Sequence, residues 1–235
     1  VGSLPTTQGN YKYAAVAVEY FTKWIEAKPL INITSKTIRK FFWQNMICRF
    51  GVPREITVDN SKQFDSQLFR EFYYSVGMKV IFASVYHPQF NGAVERANGI
   101  IFGSIKKCLF DQKKGKWADE LSKVIWSHNT SESGTTKFTP FRLLYGAEAM
   151  THEELKNRSL RATHQVEAIP SSDKDLMELD ILQASENLEK YQKETTKWRD
   201  KKIVKKNITL GDWVLKRKPN AKTSGKLNSK WEGLS

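Results

Sequence analysis

The chain opens with short apolar segments separated by polar turns. It then shifts to longer stretches in which apolar residues recur every three or four positions. Tyr13–Glu19 (YAAVAVE) is brief, apolar and partly β-branched, so it is predicted to be a buried strand. Ile25–Pro29, Glu55–Val58 and Lys79–Ala83 are predicted as three more. Thr34 or Ser35 can cap a helix with an apolar face of Ile38, Phe41, Phe42 and Ile47, stopped by Gly51-Val52-Pro53. Phe64–Val76 has the pattern of a helix with Leu68, Phe69 and Phe72 inward. A loop at Ser84–Asn91 is broken by His87-Pro88 and Asn91-Gly92. A long helix is predicted from Gly92 to Gln112, with Val94, Ala97, Ile101, Ile105 and Leu109 as its stripe, and another over Trp117–Ser127. Strands interleaved with helices in this order indicate an α/β protein with a mixed sheet.

After Ala149 the texture changes. Residues 151–170 are polar and irregular, whereas Asp173–Lys206 is charged with a helical rhythm of Leu176, Leu179, Leu182, Leu188, Tyr191 and Trp198. The simplest reading is a long solvated helix packed by one face. Gly211–Leu215 and Trp231–Gly233 read as pieces of a β module cut by the chain end. The expected division is a main domain over 1–150, a linker and charged helix over 151–206, and the start of a small β module over 207–235.

Composition narrows the partners. The 235 residues, 40% hydrophobic, suffice for one sizeable core and an appended element. The net charge is +13 and the sequence pI about 9.6, which points to a polyanionic partner. From residue 193 onward there are 13 Lys+Arg against 4 Asp+Glu, so the tail is the denser positive patch. Cys48 and Cys108 are too few for a disulfide scaffold and fit a reducing compartment. The four histidines show no paired spacing with cysteine that would suggest zinc. No apolar run approaches the roughly 18 residues of a membrane span, and Val1–Gln8 lacks the charge and apolar block of a signal peptide. The chain does not begin with Met and reads as part of something longer.

Candidate chemistry rests on two carboxylates. Asp59 follows a predicted strand, Glu95 lies in the first turns of the long helix, and 35 residues separate them. A strand-end Asp and a helix Glu converge if the helix packs against the sheet there, and hard divalent cations want such oxygen ligands. Two ions about 4 Å apart can activate the attacking oxygen and stabilise the leaving one in phosphoryl transfer. The spacing alone is a weak signal, because 25 acidic residues produce such pairs by chance. In the simpler alternative, Asp59 caps the following turn and Glu95 sits where the helix macrodipole favours a carboxylate.

Longer blocks sharpen the reading. Asp59-Asn60-Ser61-Lys62-Gln63-Phe64 resembles the DNG-x-QF block of retroelement integrases. The run from Tyr86 through His87-Pro88-Gln89, Asn91-Gly92 and Glu95 to Asn98 resembles their HPQ-x-NG-x-x-E-x-x-N block. Tyr20–Ala27 (YFTKWIEA) and Thr139-Pro140-Phe141 with Tyr145-Gly146 are similar to the gypsy-class LTR-retrotransposon versions, especially those of plants. Gly225-Lys226-Leu227 and Lys230–Gly233 look like the start of that class's C-terminal small barrel. The blocks occur in order along nearly the whole chain.

The resemblance implies an RNase H-like fold, a five-stranded mixed sheet with flanking helices, then a helical linker and a truncated small β-barrel. It implies a polynucleotidyl transferase using Mg²⁺ or Mn²⁺, with Asp59 and Glu95 as the second and third carboxylates of a D,D-35-E triad. Asn98, Lys106, Lys107, Lys216, Arg217 and Lys218 would touch nucleic acid. Lys106 and Lys107 read equally well as solvated surface. The partners implied are DNA, both element ends and target, and further copies of the chain. No membrane is implied, and the setting is the nucleus after a cytoplasmic particle. The family's first Asp precedes a G-P-L-P segment whose tail resembles Val1–Pro5, so it is expected just upstream of Val1, leaving this fragment inactive. Glu19 is a possible stand-in ligand. Ser61 replaces the family's Gly, Leu234 stands where the family has Pro, and His128–Lys137 is only loosely similar. These departures resemble the drift of a decaying element, so a non-enzymatic DNA-binding relic is the rival reading. A nuclease or transposase on the same fold is a second.

Overall fold

The computed structural model describes residues 3–83, 92–110, 117–157, 172–201, 215–217 and 231–233. The expected loop at 84–91, the linker at 158–171, Lys218 and most of the C-terminal β module lie outside the described residues.

The first two strands form a hairpin. β1 (Tyr13–Val18) pairs antiparallel with β2 (Ile25–Leu30), Val18 opposite Ile25 and Tyr13 opposite Leu30. Side chains alternate across a strand, so β1 feeds two clusters. Ala14, Val16 and Val18 face one with Ile25 and Ala27, while Tyr13, Ala15 and Ala17 face the other with Leu30. The first cluster is closed by α4 (Gly92–Phe110) and α5 (Trp117–Asn129), through Ala97, Ile101, Ile105, Trp117, Leu121 and Val124. The second is closed by α1 (Ser35–Phe41), a π-helical turn (Phe42–Ile47) and α3 (Gln67–Ser75), which contribute Ile38, Phe41, Phe42, Phe69, Phe72 and Tyr73. The one-turn helix α2 (Cys48–Phe50) follows the π turn and ends at Gly51 with φ +83°, a conformation glycine adopts without steric cost.

β3 (Glu55–Val58) and β4 (Lys79–Phe82) pair in parallel, with Ile56 and Val80 against the second cluster. Helices therefore cover both sides of the strands, as expected. Among the described residues the strands form two separate two-stranded ladders, β1–β2 and β3–β4, and β1 and β3 share no hydrogen-bonded register. Each uses one edge on its own partner, and the described chain places no strand between them. Two further strands, β5 (Leu215–Arg217) and β6 (Trp231–Gly233), pair antiparallel.

Two expectations shift by one face. Leu68 is 38% exposed, and the inward stripe of α3 is instead Phe69, Phe72 and Tyr73, the spacing that shares one side of a helix. The helix expected after Thr34 runs without a break from Ser35 to Phe50 and ends at Gly51 as predicted, but its middle turn is π-helical and Ile47 is only half-buried beside Phe42.

The charged segment is a helix, α8 (Ser172–Asp200), reached after two short helices, α6 (Pro140–Tyr145) and α7 (His152–Lys156). It packs by one face, but not the leucine face. Leu176, Leu179 and Leu182 are all more than half exposed, whereas Ala184 is fully buried. Asp180 takes a two-pronged ion pair from Arg142 (2.7 and 2.9 Å), and Asn187 donates to the Thr136 carbonyl at 3.0 Å. Gly146, at φ +78°, ends α6 against Met177; a Cβ there would lie 3.3 Å from the Met177 sulfur. These positions recur every three or four residues, so this part of α8 is held by a small polar stripe and leaves Leu176, Leu179 and Leu182 to solvent, whereas Leu188 and Tyr191 are half-buried.

Two substitutions probe this arrangement. Phe69→Ala should cost about 3–5 kcal/mol in a denaturant melt, because it empties the centre of the second cluster. Arg142→Ala should cost about 1 kcal/mol, the pair being partly exposed, and should speed amide exchange over α8 while leaving α4 and α5 protected. Unchanged exchange in α8 would show that the ion pair does not dock it.

Candidate catalytic site

Asp59 directly follows β3 and its carboxylate is exposed to solvent. Its Oδ1 accepts from the Ser61 backbone N–H at 3.0 Å and from the Ser61 hydroxyl. Asn60 donates from Nδ2 to the Ala83 carbonyl at 2.9 Å, and the Ala83 N–H donates to the Val58 carbonyl at 2.8 Å. The Asp59 turn is thus clamped to the end of β4. Sequence reasoning assigns Asn60 no role; its place beside a strand-end Asp is the available signal. Ser61 does not adopt positive φ, so replacing the family's glycine carries no backbone cost there.

Glu95 stands in the first turn of α4, exposed, on a helix fixed by Ala97, Ile101 and Ile105. α4 packs across β1, so Asp59 and Glu95 are carried by separate layers. Asn98 lies one turn on, with a buried Oδ1 that has no hydrogen-bond partner among the described residues. Lys106 and Lys107 are exposed two to three turns farther. Lys216 and Arg217 lie on β5, beyond which Lys218 is outside the described residues.

Glu19 is engaged locally. Its carboxylate accepts from Phe21 N–H (3.0 Å), Thr22 N–H (2.6 Å) and the Thr22 hydroxyl (2.6 Å), capping the turn of the β1–β2 hairpin. In that turn Lys23 takes φ +66°, which a side-chain-bearing residue rarely adopts. Burial pulls the Lys23 ammonium below the usual lysine range, the nearby Arg96 adds to this, and Glu19 opposes it. His128 Nε2 donates to the Lys23 carbonyl at 3.1 Å, and Asn129 bonds both backbone groups of Ile25 at 3.0 Å. The end of α5 thereby locks the hairpin, a role the loosely matching 128–137 stretch does not suggest.

The donors suit a hard divalent cation in kind, since Asp59 and Glu95 offer exposed carboxylate oxygens. In number they are two, and no group of three or more His, Cys, Asp or Glu side chains converges as a metal cage among the described residues.

Comparison with known proteins places these residues in context. Residues 2–88 match the family described as "Integrase core domain". The "Transposon Tf2-3 polyprotein" and "Transposon Tf2-4 polyprotein" of Schizosaccharomyces pombe are each 30% identical over 146 residues, covering 62% of this chain and 11% of the polyprotein. The chain therefore spans about a tenth of the length of the curated relatives it matches. Among solved structures, the intasome of simian T-cell lymphotropic virus in complex with PP2A regulatory subunit B56 gamma matches at TM-score 0.55 and 19% identity. That match covers 97% of this chain and 63% of the other, and it establishes an integrase-type α/β fold. The HTLV-2 integrase catalytic core domain in complex with magnesium (trimeric form) gives a TM-score of 0.49 at 27% identity, over 60% of this chain and 98% of that one.

The Glu19 geometry separates a turn cap from a metal ligand. Glu19→Ala should lower stability by about 1–2 kcal/mol by removing the three hydrogen bonds. It should leave Mn²⁺ affinity unchanged in a titration followed by electron paramagnetic resonance. Loss of Mn²⁺ binding with stability intact would make Glu19 a ligand instead.

Proposed function

We propose that this chain, which carries the core of an LTR-retrotransposon integrase, belongs to the machinery that trims the element's DNA ends and joins them to target DNA. The observation that carries the proposal is the placement of Asp59 and Glu95. One is clamped at the end of the parallel β3–β4 pair by Asn60, the other is exposed on the first turn of a helix anchored by its buried stripe. Asp59 would hold one Mg²⁺ or Mn²⁺ together with a further Asp supplied from upstream, and Glu95 would hold a second. Bound there, the two cations would supply activation of the attacking oxygen and stabilisation of the leaving one.

The chain's own residues do the rest. The oxygen that attacks is first that of water at the element end and then the 3′-hydroxyl so freed, each displacing one phosphodiester oxygen. Exposed Lys106 and Lys107, along α4 from Glu95, contact the DNA backbone, and Asn98 steadies the strand beside it. Lys216, Arg217 and Lys218 in the basic tail supply sequence-independent affinity. Residues 1–150 act as the catalytic part, 151–206 as the arm and 207–235 as the beginning of a small barrel. The intact protein works as a homo-oligomer in the nucleus, and the affinity with plant elements rests on the Tyr20–Ala27 block. The chain as given binds DNA but does not join it, because a two-carboxylate site offers Mg²⁺ too little of its octahedral shell.

Strand transfer on oligonucleotides tests this. The given chain should be inactive, and a form extended upstream to include an Asp should join ends in a metal-dependent way. Glu95→Gln in the extended form should abolish joining and keep DNA binding. Joining by the unextended chain, or none by the extended one, would contradict the proposal; the latter favours the DNA-binding relic. A triple Lys216→Ala, Arg217→Ala, Lys218→Ala variant should flatten the log–log salt dependence of duplex binding by about 0.9 for each phosphate no longer neutralised. An unchanged slope would remove the tail from the DNA surface.

A further inference from the structure

A cleft of about 620 Å³ lies where the β1–β2 turn, the first turns of α4, the end of α5 and α8 meet. Its volume falls within the range of roughly 300–1,000 Å³ that small-ligand sites occupy. Its ionisable lining is Tyr20, Lys23, Arg96, His128, Glu132 and Tyr191. Each cation lies against a ring, and Lys23 Nζ also donates to the Tyr20 backbone carbonyl within its own turn. Lys23 Nζ sits 4.4 Å from the Tyr20 ring centre, and the Arg96 guanidinium 5.7 Å from that of Tyr191. Neither forms an ion pair among the described residues. Gln192 reaches from α8 to the Tyr20 hydroxyl at 3.5 Å, so one wall bridges hairpin and helix. Lys23 itself is held at φ +66° in the hairpin turn.

Cation beside aromatic ring, twice over in one cleft, is the combination that grips single-stranded nucleic acid: the charge meets a phosphate and the ring stacks a base. Arg96 follows Glu95 in the first turns of α4 but points away from it, and Glu95 does not line the cleft. We infer that this cleft holds one unpaired nucleotide of the DNA strand, its phosphate between Lys23 and Arg96 and its base against Tyr191 or Tyr20. The inference rests on the integrase reading for the identity of the strand, but the site is built from residues that reading does not use. Held this way, a nucleotide would bridge the catalytic layer and α8, coupling the arm to the DNA end.

The probe is 5′-phosphorylated dithymidine carrying a 3′ fluorophore, titrated with the full chain at fixed salt and read by anisotropy. Arg96→Ala and Tyr191→Ala should each weaken binding about tenfold, within the range expected when one stacking or phosphate interaction is removed. Lys23→Gly, which suits the positive φ while removing the cation, should do the same. Lys40→Ala, an equal charge change on an exposed face of α1, should not alter affinity. Replacing one thymidine by an abasic residue should weaken binding by a similar factor. Thermal melts identify any variant that fails to fold, and Arg96→Ala, on an exposed helix position, remains decisive if Lys23→Gly unfolds. Equal weakening by Lys40→Ala and Arg96→Ala would show diffuse charge and overturn the site. Full affinity for the abasic probe would reduce it to an anion site and overturn it too. Strand transfer by the extended protein is read separately, so a negative dinucleotide result with active joining rejects the cleft alone.

Discussion

The β1–β2 hairpin is buried on both faces, and every other layer is placed by that fact. Alternate residues of β1 face opposite clusters, so α4 and α5 must cover one side while α1 and α3 cover the other. Ala14 and Ala15, adjacent and both buried, are small enough to let helices approach the strand from both directions. The hairpin's polar end is secured as carefully as its apolar body. Glu26, only 6% exposed, accepts from Trp24 Nε1 at 2.9 Å and pairs with Arg49 at 2.5 Å, so its buried charge is compensated. Asn129 satisfies the backbone of Ile25 where the ladder ends.

From this frame follow the positions of the functional groups. α4 is pinned by Ala97, Ile101 and Ile105, which fixes Glu95 and Arg96 at its open end. The Thr139–Gly146 block acquires a physical meaning here. Thr139 caps α6 and Pro140 starts it, Phe141 and Tyr145 pack around Trp24, and Arg142 with Gly146 seats α8. A motif that reads in the sequence only as a family signature is the joint between core and arm.

Period and order are more legible in the sequence than partners are. Four strands and the main helices emerge near their observed bounds because the periodicities of strand and helix report burial directly. Leu68 is the exception, because an unbroken Leu-Phe pair leaves the phase of a helix open by one residue, which only packing resolves. In α8 the leucines suggest the buried face, yet the helix docks through Asp180, Ala184 and Asn187, since the core offers it Arg142 and a carbonyl rather than an apolar groove. The clamps at Asn60 and Asn129 leave no trace in the sequence because each depends on a partner 23 or 104 residues away.

The central claim is that Asp59 and Glu95, carried by different layers, serve one divalent-metal site. Mn²⁺ binding measured by electron paramagnetic resonance on the upstream-extended protein tests it most directly, with Asp59→Asn and Glu95→Gln compared at equal folded fraction. Each substitution alone should weaken Mn²⁺ binding by tenfold or more, about 1.4 kcal/mol. If both variants bind Mn²⁺ as the parent does, the two carboxylates do not form a metal site and the account fails.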